Sequence, residues 1–130
     1  MIYKINEPVS AKAISDLRAS VGWNRMVDSY KNPLLTSYIN ISVFDNNKLI
    51  AYIDSVSNGV TDAYIQDLMV HPDYQEQGIG TELMNRIIAL LKQNHIYMIS
   101  VIIDENLKEF YNRFGFQITC AGQMQTFECE

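Results

Sequence analysis

The residues best suited to chemistry stand together in His71-Pro72-Asp73-Tyr74-Gln75-Glu76-Gln77-Gly78-Ile79-Gly80-Thr81. A strand-like run over residues 62–70 precedes them, and a helical run over 82–93 follows. Glycine lets the backbone approach a ligand and take conformations that a side chain forbids. The first amides of the following helix have no partners inside it, and the helix dipole favours negative charge there. Strand, glycine turn and helix start together make an anion site, most often for phosphate. The spacing is not the G-x-G-x-x-G of dinucleotide folds, and no G-K-[ST] follows as in a P-loop, so both of those classes are excluded.

Few other residues compete for a chemical role. Trp23, the only tryptophan, sits in Val21-Gly22-Trp23 and reads either as the wall of an aromatic or amine pocket or as a half-buried packing residue. Tyr30 and Tyr38 carry the same two readings. His71 and His95 are the only histidines, and neither has neighbours at metal-ligand spacing. Cys120 and Cys129 form no metal or redox motif, so no metal is expected.

Positioning these residues needs strands and helices in a definite order. Residues 2–5 alternate as a short edge strand. Ser10 is a helix N-cap, and Ala13, Ile14, Leu17 and Val21 share one face of a helix that Gly22 ends. A second short helix is expected over 24–31, stopped before Pro33. Residues 37–44, 48–56 and 62–70 read as strands joined by short polar turns, an antiparallel meander. Leu83, Met84, Ile87, Ile88 and Leu91 mark an amphipathic helix, with Asn94 as its left-handed cap.

Residues 96–103 are apolar almost throughout, as in a strand covered on both faces and running parallel to 62–70 through a right-handed crossover. Asp104 opens a last helix in which Leu107, Phe110, Tyr111 and Phe114 form one stripe, and Gly115 ends it. Residues 116–119 and 123–127 read as a closing antiparallel pair. The sum is one α+β domain over residues 1–130, a three-layer sandwich in which a mixed, mostly antiparallel twisted sheet carries helices on both faces.

Length and charge bound the partners. At 130 residues, one domain with a real core is expected. Ten basic against fifteen acidic side chains give a net charge of −5, which points to neither nucleic acid nor an anionic membrane and weakly favours a cationic substrate. The N-terminal residues lack the pattern of a signal peptide, and the apolar run at 96–103 is too short to cross a bilayer, so a cytoplasmic location is expected.

Two stretches resemble a known family. Gln75-x-x-Gly78-x-Gly80, preceded by Leu68-Met69-Val70-His71-Pro72, is similar to the coenzyme A signature of the GNAT superfamily of acyl-CoA-dependent N-acyltransferases. Asn106, the pair Phe110-Tyr111 and the pair Gly115-Phe116 resemble the pattern that closes the same core. The resemblance implies acetyl-CoA as co-substrate and an amine acceptor, a small molecule or a peptide. Val21-Gly22-Trp23 and residues 64–68 look like a subgroup acting on arylalkylamines, which favours an aromatic amine. Many relatives dimerise, and the sequence leaves a homodimer open.

The resemblance also implies roles. The backbone at Leu68, Met69 and Val70 would bond the acyl carbonyl and pantetheine amide. The amides of Gln75, Glu76, Gln77, Gly78, Ile79, Gly80 and Thr81 would cradle the pyrophosphate. Asn106 would bind the pantetheine arm beside Phe110, Tyr111 would protonate the leaving thiolate, and Trp23 and Tyr30 would border the acceptor. Relatives commonly place a basic residue beside Gly78, where this chain has Glu76 and Gln77, leaving Arg86 and Arg113 as the cations to assist. Many use a strand glutamate as base. Gln66 holds that position, and Asp67 would serve only if a bulge turned it from the opposite face. The competing reading is a non-catalytic acyl-CoA-binding module.

Overall fold

The computed structural model describes residues 1–130. Five strands form one sheet in chain order: β1 (Ile2–Ile5), β2 (Asn40–Asp45), β3 (Lys48–Ser57), β4 (Asp62–Val70) and β5 (Met98–Ser100). The first four run antiparallel and β5 lies parallel to β4. Helices α1 (Ala11–Ser20) and α2 (Val27–Tyr30) cover one face, α3 (Ile79–Gln93) covers the other, and the short α4 (Lys108–Asn112) follows β5. This is the expected mixed α+β architecture.

Each helix starts where its sequence permits. The Ser10 hydroxyl accepts the Ala13 amide at 3.1 Å and caps α1, and Gly22 ends that helix at φ +84°. Two separate cores hold the layers. Ile41, Val43 and Ile53 of the sheet pack on Leu83, Met84, Ile87 and Leu91 of α3. On the opposite face Leu49, Tyr52 and Met69 pack on Ile14, Leu17 and Tyr30. Each buried aliphatic side chain contributes roughly 1.5–3 kcal/mol.

Several sequence expectations change. The second helix shortens to Val27–Tyr30, with Met26 in the left-handed region ahead of it. The strand after it starts at Asn40, because Pro33–Thr36 takes up a 3-10 turn. His95, not Asn94, holds the left-handed position after α3. The apolar run at 96–103 yields only three strand residues and is not covered on both faces: Tyr97 is 81% and Met98 48% exposed. The expected closing pair at 116–119 and 123–127 does not form. With β5 so short, those segments have no long edge to join, and a lone two-stranded hairpin is marginal in water. No helix is long and apolar enough to cross a membrane.

Candidate active site

The site begins where β4 parts from β5. Only Asp62, Ala63 and Tyr64 pair with β5, so from Ile65 to Val70 the outer edge of β4 has no strand beside it. Unpaired main-chain groups on a sheet edge accept an extended partner as an added strand. Within this open stretch Asp67 has φ +57°, and the register with β3 shifts between Tyr52 and Asp54. That is a β-bulge, tolerated here because aspartate enters the left-handed region more readily than most residues. The bulge reverses strict alternation, so Asp67 reaches the α1–α2 face, where simple strand periodicity would not place it.

Beyond β4, the chain passes through a 3-10 turn (Pro72–Tyr74), fastened where His71 Nδ1 accepts the Asp73 amide at 3.1 Å. Glu76 at φ +64° and Gly78 at φ +82° then swing it into α3. Gly78 carbonyl accepts the Glu82 amide at 3.0 Å, while the amides of Glu76 through Thr81 find no acceptor in the protein. These consecutive unpartnered donors lead into the positive end of a 15-residue helix, an arrangement that suits an anion.

The cradle opens into a cavity of about 480 Å³ between β4, the start of α3 and α4. Leu68, Val70, Gln75, Glu76, Gly78, Ile79, Gly80 and Thr81 line one side, and Leu107, Phe110 and Tyr111 the other. An added Cβ on Gly80 would stand 3.8 Å from the Phe110 ring, so glycine keeps this wall thin. The Gln75 side-chain amide donates to the Val70 carbonyl at 2.9 Å and thereby ties the loop to the strand. Tyr111 lines the cavity, with its ring edge-on to Phe110 at 5.1 Å. Burial, then Tyr64 and Asp104, push its pKa above the ordinary 10, so the phenol keeps its proton through neutral pH.

Four of the expected coenzyme residues stand off the cavity wall. Met69 turns its side chain into the α1–α2 core and leaves only its backbone on the open edge. Gln77 and Asn106 are exposed, and Leu107, which the sequence reading missed, takes the wall beside Asn106. Arg113 lies 5.2 Å over the Phe110 ring and keeps a cation near the mouth. Arg86 does not assist the cradle: it pairs with Glu82 at 2.9 Å and stacks on Tyr3 at 4.1 Å.

Across the sheet, on the α1–α2 face, a polar assembly fills the opposite side of the bulge. Arg18 donates to Asn24 Oδ1 at 2.7 Å and pairs with Asp67 at 3.3 Å. The Tyr30 hydroxyl donates to the other Asp67 oxygen. Burial, followed by the Asp67 charge, raises the Tyr30 pKa, so it remains a neutral donor. Trp23 lies 5.3 Å from the Arg18 guanidinium and is 41% exposed, so it borders this assembly. Asn24 also donates to the Cys129 carbonyl, drawing the end of the chain to the same place. The structure therefore brings Trp23, Tyr30 and Asp67 together.

Sequence reasoning missed Arg18 and Asp54. Arg18 shares the apolar face of α1 with Ile14 and Leu17, and a lone cation on a buried stripe is a legible signal. Asp54 interrupts the apolar run of β3, has no exposed surface, and has no hydrogen-bond partner at either oxygen.

The chain matches the model of the acetyltransferase (GNAT) family over residues 8–116. It belongs to that family. The GNAT chain is 34% identical over 116 residues to the uncharacterised N-acetyltransferase ycf52 of Gracilaria tenuistipitata var. liui, covering 85% of its own length and 64% of that relative's. A GNAT-family acetyltransferase structure from Streptococcus pneumoniae superposes with a TM-score of 0.75 at 28% identity over 97% of both chains. The structure of an aminoglycoside 6'-N-acetyltransferase complexed with coenzyme A shares the fold, with a TM-score of 0.74 at 18% identity over 92% of this chain and 87% of that one.

Proposed function

We propose that this GNAT protein transfers the acetyl group of acetyl-CoA to a primary amine by direct attack in a ternary complex. One observation carries the reading: residues with unpartnered amides at the α3 N-terminus, an open β4 edge and Tyr111 border a single cavity. The residues present fit a diphosphate-bearing thioester with an amide-containing arm. The amides of Glu76 to Thr81 suit the diphosphate, and Arg113 adds a cation at the rim. The edge of Leu68 to Val70 suits the amides of the arm and the acyl carbonyl, with Phe110 and Leu107 packing against it.

The thioester supplies an activated acyl group whose leaving thiolate is about as basic as a cysteine, near pKa ~8.5. The chain supplies position and protons. A main-chain amide near the bulge polarises the carbonyl oxygen where negative charge develops. Tyr111 gives its proton to the departing sulfur, and the second proton that the nitrogen sheds as the amide forms restores the phenol, since burial makes a lasting phenolate costly. No cysteine lines the cavity to form an acyl-enzyme. A primary ammonium with pKa ~10.4 must lose a proton before it attacks. The assembly around Asp67 on the opposite face receives it, and Trp23 beside that assembly favours an aromatic amine.

The test is thiol release from acetyl-CoA over a panel of arylalkylamines, polyamines, aminoglycosides and peptide amines, with acetyl-CoA binding followed by calorimetry. Acceptor-dependent thiol release is expected. Gln66, which cannot take a proton, and a cradle without a paired arginine favour the second reading, a coenzyme-binding module. Binding without thiol release from any amine would establish that reading instead.

A further inference from the structure

The proton of the acceptor ammonium needs a destination, and the structure holds one that is used by nothing else. Asp54 lies on β3 directly opposite Gln66 of β4, and residues opposite each other in a ladder share a face. That face is the one covered by α1 and α2, where Tyr52, two residues earlier on the same strand, packs against Tyr30. Both Asp54 oxygens and the Tyr52 hydroxyl are fully buried without a hydrogen-bond partner. Tyr52 and Gln66 stand close enough to favour the charged form of Asp54, yet neither makes a well-formed hydrogen bond to it, and a buried carboxylate held so loosely costs ~1–3 kcal/mol or more.

Every charged or titratable neighbour can be named. The groups whose charge or dipole acts on Asp54 or feels it are Asp67 and Tyr64 on β4, Tyr52 on its own strand, Arg18 on α1 and Tyr30 on α2, with Gln66 opposite it in the ladder. Two carboxylates stand against one guanidinium, and Asp67 alone holds that guanidinium in an ion pair. The cluster thus has room for one more positive charge or one more proton. Its only carboxylate with a view of solvent is Asp67, whose side chain is 21% exposed. Asp67 is also the residue next to Leu68, which lines the coenzyme cavity, so a single peptide bond separates the two halves of the site.

We propose that Asp54 is the proton acceptor for the acceptor amine, and that Asp67, with Arg18 and Tyr30 holding it in place, is where the ammonium docks. This rests on the transferase reading above. A nitrogen–hydrogen bond of the ammonium breaks and its electron pair stays on nitrogen as the nucleophile. The proton enters the cluster by way of Asp67 and comes to rest on an Asp54 oxygen as a new O–H bond. It returns to solvent after acyl transfer, which releases one proton overall. Burial, and next the Asp67 charge, raise the Asp54 carboxyl to about 8, against the opposing pull of Tyr52, Gln66 and Arg18. Below that pH the acceptor is already occupied, and above it the acceptor is free.

The decisive comparison is wild type against Asp54→Asn, an isosteric change that removes the proton site and no packing. With an acceptor whose own amine titrates far from 8, wild-type kcat/KM should rise with pH through a break near 8. Asp54→Asn should lose that break and run ~100-fold slower above it, with acetyl-CoA affinity unchanged by calorimetry. Independently of turnover, carbon NMR of carboxyl-labelled aspartate should show one signal titrating near 8 in the free wild-type protein and missing from the variant. A variant that keeps the wild-type rate and pH profile overturns the assignment of Asp54 alone. So does the absence of any aspartate signal titrating above pH 6. A wild type that binds acetyl-CoA yet acetylates no amine overturns the transferase reading, and this assignment with it.

Discussion

Asp54→Asn should also make the protein more stable near and above neutral pH. The carboxyl has no exposed surface and no hydrogen-bond partner, and its pKa rises from the ordinary 3.8 to about 8 on folding. A carboxyl with a higher pKa in the folded state favours folding in its protonated form. Its contribution is therefore intact below pH 3.8, is eroded as pH climbs, and is fully lost above about 8. A gap of about four pH units at ~1.36 kcal/mol each makes the full penalty about 6 kcal/mol, of which about 4 is felt at pH 7.

Asparagine escapes this penalty but leaves a buried amide without partners, costing ~1–3 kcal/mol. The balance is about 2 kcal/mol in favour of the variant at pH 7 and about 4 at pH 9. Urea denaturation should show it as a midpoint about 1 M higher at pH 7, widening toward pH 9, vanishing at about pH 5 and reversing below it. Stability curves that run parallel from pH 4 to 9 would refute the reasoning, because they would mean that Asp54 ionises as easily folded as unfolded.

Other perturbations probe the remaining parts of the site. Gly80→Val should weaken acetyl-CoA binding by about tenfold or more while the fold survives, since a Cβ there has 3.8 Å to the Phe110 ring and only the further methyls intrude; calorimetry and melting curves report both. Tyr111→Phe should lower kcat by ~100-fold with little change in coenzyme affinity or stability, because the phenol bonds nothing in the protein, and an unchanged rate would remove it from the mechanism. Arg18→Met should cost about 3 kcal/mol by leaving Asp67 and the Tyr30 hydroxyl without their cation; Asp67→Asn in the same protein should restore part of the loss, as measured by urea midpoints. Gly78→Ala forces a methyl into φ +82° and should cost about 1 kcal/mol, read by the same denaturation.

Much of the fold was written locally. The Ser10 cap, the Gly22 stop, the short polar turn ahead of Lys48 and the apolar stripe of α3 each depend on neighbours within a few residues, and each appears where local rules put it. The glycine cradle was legible for the same reason. The carboxylate assembly was not, because Arg18 and Asp67 are 49 residues apart and a bulge decides on which face Asp67 emerges. Periodicity treats β3 as one apolar strand and passes over Asp54 as a single exception. At the other end, the apolar run at 96–103 and the tail beyond Gly115 carry strand-forming residues, yet strands need a partner edge, and β5 offers three residues of it. Propensity describes what a segment tolerates, and the neighbouring edge decides whether it is used.

Because β4 leaves β5 after three residue pairs, six of its nine residues have no strand along their outer side, beside the proposed coenzyme site. A bound pantetheine arm would complete the sheet there as well as deliver a reactant. A sample stripped of coenzyme then offers a ready template to any extended segment, including one from a sibling molecule. Shelf life, freedom from aggregation and slow amide exchange along residues 65–70 should all follow occupancy by the carrier, whether or not an acyl group is attached to it.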